Sequence, residues 1–331
     1  MTSGPATTAV HAEDARARRA LLTRSAAIAS MSVATLLLAL KIYATVRTGS
    51  TAMLGSLADT ALDIVASLVT LIGVWVAAHP PDADHRFGHG KAEALAALVQ
   101  VVLISISAVG IAGRAIEVWI GGGRIEQAED GIVVSLIAVV ATLFLLAWQR
   151  HVIRKTGSIA IQTDHVHYKS DILLNFAVVA ALLLDQYAGF TGADPLFALG
   201  IAAWLGWNAW EASQHAIDNL MDREWPVEKR QDLLDTIRDN PDLQGVHDLR
   251  TRTAGNRDFA QFHITVDPNM TVVEAHEVMD AIEASLLTKF PETEFLIHTD
   301  PEGHIELDAN RPVDLLTQGV DADFPEEAKP A

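Results

Sequence analysis

Asp59 and Asp63 lie four residues apart inside an apolar stretch, and His167 and Asp171 repeat that spacing inside another. Residues at i and i+4 share a helix face, so each pair sets two metal-ligating groups side by side. Together they offer three carboxylates and one imidazole, a donor set suited to a tetrahedral first-row divalent cation such as zinc. An ionisable side chain at the centre of a bilayer costs about 2.5–3.5 kcal/mol on insertion scales. Four at one depth therefore call for a function. Two other readings stand beside this one: a polar network that only joins helices, and a metal-free proton relay through the mixed carboxylate and imidazole groups.

A second constellation lies between the second and third apolar runs, His79-Pro-Pro-Asp-Ala-Asp-His-Arg-Phe-Gly-His-Gly-Lys91. Asp82, His85 and His89 follow at spacings of three and four. Pro80 and Pro81 end the preceding helix, and Gly88 and Gly90 allow tight turns. The spacing predicts a metal site, against the alternative of an ordinary polar loop. His79 reads as a helix-end residue with no partner at useful spacing.

The third constellation is His247, His263, His276 and His298, followed by Asp300. The four histidines fall on a first strand, a second strand, a second helix and a third strand. If strand ends and a helix start converge, Asp300 can bridge a pair of zinc ions held by the imidazoles. The alternative is surface histidines on an acidic domain. Asp248 is a weaker candidate. His276-Glu277-Val278-Met279-Asp280 approaches the H-E-x-x-H metalloprotease pattern but ends on Asp. No phosphate-cradling glycine loop or G-x-S-x-G elbow appears, so ATP-driven pumping and serine hydrolysis have no support either.

Six apolar runs must position these residues: 25–46, 52–78, 93–120, 131–149, 158–187 and 194–217. Each meets the roughly 20 residues that a core about 30 Å thick requires. At about 1.5 Å per residue, Asp59 lies some 12 Å from the outer end of the second run. His167 lies about 14 Å from the inner end of the fifth, so both pairs reach the midplane. Arg16, Arg18, Arg19 and Arg24 precede the first run, Arg86 and Lys91 mark the second loop, and Arg150, Arg154 and Lys155 the fourth. The other loops offer only Arg47 and Arg124, which puts both termini in the cytoplasm. The polar N-terminal stretch has no cleavage pattern and is not read as a signal peptide.

The chain is 331 residues long, 50% hydrophobic and 20% charged. Residues 1–219 hold 17 acidic and 14 basic side chains, whereas residues 220–331 hold 25 and 10. The apolar part rules out an ordinary globular enzyme, and the acidic part argues against nucleic-acid binding, which needs a basic face. With no cysteine, disulfides, thiolate nucleophiles and thiolate metal sites are excluded. Four segments result: a cytoplasmic N-terminal tail over 1–20, a six-helix transmembrane domain over 21–219, a cytoplasmic metal-binding domain over 220–310 and a disordered acidic tail over 311–331. In the third segment, an amphipathic helix over 227–240 is followed by alternating strands over 246–254 and 258–266. A capped helix over 271–288 and a strand over 294–298 complete an αββαβ order. That order predicts a three-stranded α+β sheet with its helices on one face.

Asp59-xxx-Asp63, the loop from Asp82 to Lys91 and His167-Tyr-Lys-Ser-Asp171 resemble the signature motifs of the cation diffusion facilitator family, and within it the YiiP/FieF-type bacterial zinc and ferrous-iron efflux branch. The resemblance covers residues 20–300. It implies a homodimeric multi-pass transporter of the bacterial inner membrane that exchanges divalent metal ions for protons across the lipid bilayer. It further implies a metallochaperone-like cytoplasmic domain with structural zinc on His247, His263, His276, His298 and Asp300, and a salt bridge of Lys91 with Asp222 that locks the protomers. Zinc is the expected cargo, with cadmium and iron(II) as alternatives. A membrane-anchored metal sensor or buffer without transport is the competing function.

Overall fold

The computed structural model describes residues 5–48, 51–121, 132–188, 193–238, 240–255, 257–303 and 314–319. The chain divides into two compact units, Arg19–Asp218 and Asn219–Ala331, the latter with Met1–Arg18.

The first unit is helical. It holds α1 (Pro5–Thr48) from Arg19 onward, α2 (Thr51–Ala77), α3 (Ala92–Gly121), α4 (Ile132–Thr156), α5 (Ile159–Ala188) and α6 (Ala193–Leu220) as far as Asp218. Among the described residues, Ala17–Tyr43, Thr60–Ala77, Ala92–Gly121 and Ile137–Thr156 are long and apolar enough to cross a membrane. α5 and α6 are 30 and 28 residues long. In α5, Asp164, His165, His167, Lys169 and Asp171 crowd into the first half and lower its hydropathy. The outer surface is that of a membrane domain: Ile106, Val109 and Phe144 are 60%, 74% and 75% exposed. Inside, small residues let helices approach. Ala26 and Ala27 of α1, Val74 of α2, Ala96 of α3, Val152 of α4 and Ala160 of α5 form one core. Gly73 lies close against Ala96, where a Cβ on Gly73 would lie 2.3 Å from the alanine Cβ. Within the N-terminal tail expected over 1–20, the chain is helical from Pro5, where Ala, Arg and Glu are good helix formers.

The second unit contains α7 (Val227–Ile237), β1 (Gly245–Ala254), β2 (Arg257–Val266), α8 (Val272–Lys289), β3 (Thr293–Pro301) and the short α9 (Leu315–Gln318). β2 is central, antiparallel to β1 and parallel to β3. Leu233, Leu234 and Ile237 of α7 and Val278, Ile282 and Leu286 of α8 pack with Phe262, Ile264 and Ile297 of the sheet. Each such burial contributes about 1.5–3 kcal/mol. The tail expected to be disordered over 311–331 differs in one place. Asp314 caps α9 through Leu316 N–H and also accepts from Val246 N–H, and Leu315 is fully buried in the core. An apolar pair in an acidic tail finds a pocket to fill.

α8 starts at a capping box. Thr271 Oγ1 accepts from Glu274 N–H, and Glu274 Oε2 accepts from Thr271 N–H at 2.7 Å. That second bond holds the Glu274 carboxyl below the usual carboxylate range. A folded value below the unfolded one means that its support is present at neutral pH and is lost as pH falls through the lowered value. Thr271→Ala should cost about 1 kcal/mol, read as a lower denaturation midpoint of this unit.

Candidate metal centres

α2 and α5 are in contact, and each brings part of one cluster. His167 Nε2 donates to Asp63 Oδ1 over 3.0 Å. Ligand atoms of Asp63, His167 and Asp171 all lie within 4.8 Å of one another. His167 is 9% exposed. The side chain of Asp59 lies outside the described residues.

Asp164, one turn before His167, does not join this cluster. It is fully buried and accepts from Ser30 Oγ at 2.6 Å, Gln149 Nε2 at 2.8 Å and Gln100 Nε2 at 3.2 Å. The rotation of about 60° that separates i from i+3 around a helix turns it toward α1, α3 and α4. Sequence reading missed this junction, and its signal was available: Gln100 and Gln149 are amides set in apolar helices. On the same turn as Asp164, His165 Nδ1 donates to Gln149 Oε1 at 3.2 Å. At the first turn of α5, Ser158 Oγ donates to Glu93 Oε2 at 2.5 Å, tying α3 to the ligand-bearing helix.

The loop folds around Asp82. Its Oδ1 accepts from His85 N–H at 2.6 Å and Asp84 N–H at 3.0 Å, and Gly88 takes a positive φ of 85°. The His85 N–H holds the Asp82 carboxyl below its usual range, so it is ionised and ready to bind a cation at neutral pH. Asp82 Oδ2 lies 3.3 Å from His89 Nε2, and Oδ1 lies 3.4 Å from His85 Nδ1. The three residues meet within 4.8 Å. The fit to a metal has a separate mark: His89 Nδ1 is buried and has no hydrogen-bond partner among the described residues.

In the second unit, His247 pairs with His263 across β1–β2 and His263 with His298 across β2–β3. The three imidazoles form one row across the sheet, on the face opposite Phe262 and Ile264. Asp300, two residues beyond His298, is on the same face. Its Oδ2 accepts from His263 Nδ1 at 2.8 Å and lies 3.2 Å from His247 Nε2; Oδ1 is 3.3 Å from His298 Nε2. Burial pushes the Asp300 carboxyl up, but the His263 hydrogen bond and the nearby imidazoles outweigh it and hold the carboxyl low. A β-bulge makes the row. Between His247 and Arg250 the register shifts, and Asp248 adopts φ 49°. The extra residue resets the alternation, so His247 faces the row while Val246 and Leu249 face the core. Asp248 Oδ2 lies 3.7 Å from His263 Nε2, and its Oδ1 accepts from Arg250 Nε at 2.8 Å.

His276 is not brought to this row. It sits at the start of α8, whose core-facing residues cover the other face of the sheet. Its side chain is 68% exposed, 3.9 Å from Asp280. The expected convergence of strand ends with a helix start is replaced by a row along the middle of the strands. Lys91 and Asp222 fall in separate units, and Asp222 lies 3.5 Å from Arg252 within its own.

These two units match two family descriptions. Residues 27–221 match the cation efflux transmembrane domain, and residues 225–302 match the cytoplasmic domain of cation efflux proteins. The chain belongs to the cation diffusion facilitator family. This facilitator is 42% identical over 280 residues to the cation-efflux pump FieF of Klebsiella pneumoniae subsp. pneumoniae, covering 85% of this chain and 93% of that one. The FieF pump of Escherichia coli O139:H28 is 40% identical over the same length and shares. Among solved structures, the metal-bound C-terminal domain of the CzcD transporter from Thermotoga maritima is 30% identical, covering 24% of this chain and 96% of that one, with a TM-score of 0.22. The facilitator is thus a cation-efflux transporter with a helical transmembrane domain and a cytoplasmic domain built on a three-stranded sheet.

Proposed function

We propose that this facilitator exports divalent metal ions, zinc foremost with cadmium and iron(II) as alternatives, from the cytoplasm in exchange for protons. The observation that carries the reading is the cluster of Asp63, His167 and Asp171 inside two helices of the membrane unit. Asp59, one turn before Asp63, is the fourth ligand. The His167 Nε2–H that bonds Asp63 Oδ1 occupies the line where a metal would bind both atoms, so metal and proton compete for one position. Alternating access then converts that competition into exchange: metal enters from the cytoplasm as protons leave, and protons take its place on the outer side.

Six spans, α1 to α6, in a bacterial inner membrane with both termini cytoplasmic complete the proposal. The domain limits are those expected above, 21–219 for the membrane part and 220–310 for the cytoplasmic part. The loop cluster of Asp82, His85 and His89 holds a further ion. His247, His263, His298 and Asp300 hold structural zinc; His276, exposed on α8, adds to that centre only if the dimer mate brings a second ligand set to it. Lys91 and Asp222 bridge the two protomers near the membrane.

The test is metal uptake into proteoliposomes under an imposed pH gradient, run with zinc, cadmium, iron(II) and manganese. Zinc flux that follows the proton gradient is expected. Metal binding without vectorial flux would instead support a sensor or buffer. One substitution reads selectivity in the same assay. His167→Asp makes the site all-oxygen and harder, so the ratio of manganese to zinc flux should rise. An unchanged ratio would place selectivity outside this cluster.

A further inference from the structure

We propose that His79 is a fourth ligand of the loop site, closing it into a centre of three imidazole nitrogens and one carboxylate oxygen. The inference rests on the reading above that Asp82, His85 and His89 bind metal. Three protein ligands leave one position of a tetrahedral ion open to water or exchange; a fourth closes it.

His79 follows α2 directly and is joined to Asp82 by Pro80 and Pro81, which restrict the distance between them. Its ring centroid lies 6.1 Å from that of His89, and the His85 and His89 centroids are 4.6 Å apart. Zinc–nitrogen bonds of about 2.0–2.1 Å at tetrahedral angles put two bound rings about 5 Å apart between centroids. The gap therefore closes by a shift of about 1 Å, within reach of a small movement of the exposed loop that follows His79.

The ring is also prepared for this role. His79 Nδ1 lies 2.9 Å from the Trp75 carbonyl oxygen. A carbonyl only accepts, so Nδ1 carries the hydrogen and donates it, and the lone pair is on Nε2. A ligating imidazole that gives its second N–H to a backbone carbonyl is a recurrent arrangement, because the bond fixes tautomer and orientation together. Trp75 also packs edge-on against the His79 ring at 4.4 Å. Nε2 makes no hydrogen bond among the described residues. A closed, imidazole-rich centre favours zinc over manganese and retains its ion, so the loop ion is resident, separate from the ions in transit.

The experiment titrates cobalt(II) into the full-length protein, counting bound equivalents and recording the visible spectrum, in which tetrahedral cobalt absorbs far more strongly than octahedral. Asp82→Ala should lose one equivalent per chain. His79→Gln should keep that equivalent with at least about tenfold weaker affinity and a weaker tetrahedral band. His79→Cys gives a positive signal. The chain has no cysteine, so a thiolate-to-cobalt charge-transfer band in that variant can come only from position 79. Absence of the band, or a His79→Gln spectrum and affinity equal to wild type while Asp82→Ala has lost its equivalent, overturns the role of His79 and leaves the three-ligand site standing. Retention of every equivalent by Asp82→Ala overturns the loop site itself, and the fourth ligand with it.

Discussion

An Asp63→Ala chain should insert, fold and dimerise, yet carry zinc across proteoliposomes at the rate of protein-free vesicles. The substitution removes one ligand of the proposed set and the hydrogen-bond acceptor of His167 at 3.0 Å. It also removes a carboxylate whose placement in a membrane helix costs about 2.5 kcal/mol or more, so no loss of insertion or thermal stability should accompany the lost flux. That separation distinguishes a site residue from a structural one, since a polar group that merely joined helices would lose both together. Flux is measured under a pH gradient alongside size-exclusion chromatography and melting of the same preparation. Wild-type flux from a well-folded Asp63→Ala protein would sink the assignment.

The second large effect is expected at Asp300. One carboxylate faces three imidazoles, at 2.8, 3.2 and 3.3 Å, so Asp300→Ala leaves the histidine row only Asp248, 3.7 Å from His263 and engaged by Arg250, to balance the zinc proposed to bind there. Metal that binds only the folded form stabilises it by about 2.7 kcal/mol at a hundredfold excess over Kd, and this increment should vanish. Hydrogen exchange of β1, β2 and β3 in the full-length protein, with and without zinc, reads it locally. Wild-type strands should slow on zinc addition and Asp300→Ala strands should not. Transport should fall without stopping, because the ligands in α2 and α5 are untouched. Equal zinc protection in both proteins would remove Asp300 from the centre. The apo protein adds a pH signature. With the Asp300 carboxyl held low in the folded state, its contribution is full at neutral pH and drains away as pH falls through that lowered value.

Local signals were legible in the sequence wherever a short pattern fixes a short structure. Thr271 and Glu274 announced the start of α8, and the spacing of Asp63, His167 and Asp171 announced a shared cluster because both helices are regular. What escaped depends on long-range register. That His247, His263 and His298 form one row follows from which residues pair across the strands, and that pairing turns on a bulge at Asp248 that alternation alone does not show. His276 was grouped with them by residue type, but α8 buries Val278, Ile282 and Leu286 on the opposite face of the sheet. His79 was read as a helix-end residue with no partner at useful spacing, whereas the folded loop puts its ring centroid 6.1 Å from that of His89. Leu315 looked like part of a solvated tail until a gap in the core was there to receive it.

The close approach of Gly73 to Ala96 has a mechanical consequence. With no room for even one methyl group between α2 and α3 at that point, any side chain larger than glycine at position 73 would push the two helices apart. The same two helices are joined at their ends by the thirteen-residue strap from His79 to Lys91. α3 is tied in turn to α5, through Ser158 to Glu93 and Gln100 to Asp164, so strain at position 73 would pass to the helix that carries His167.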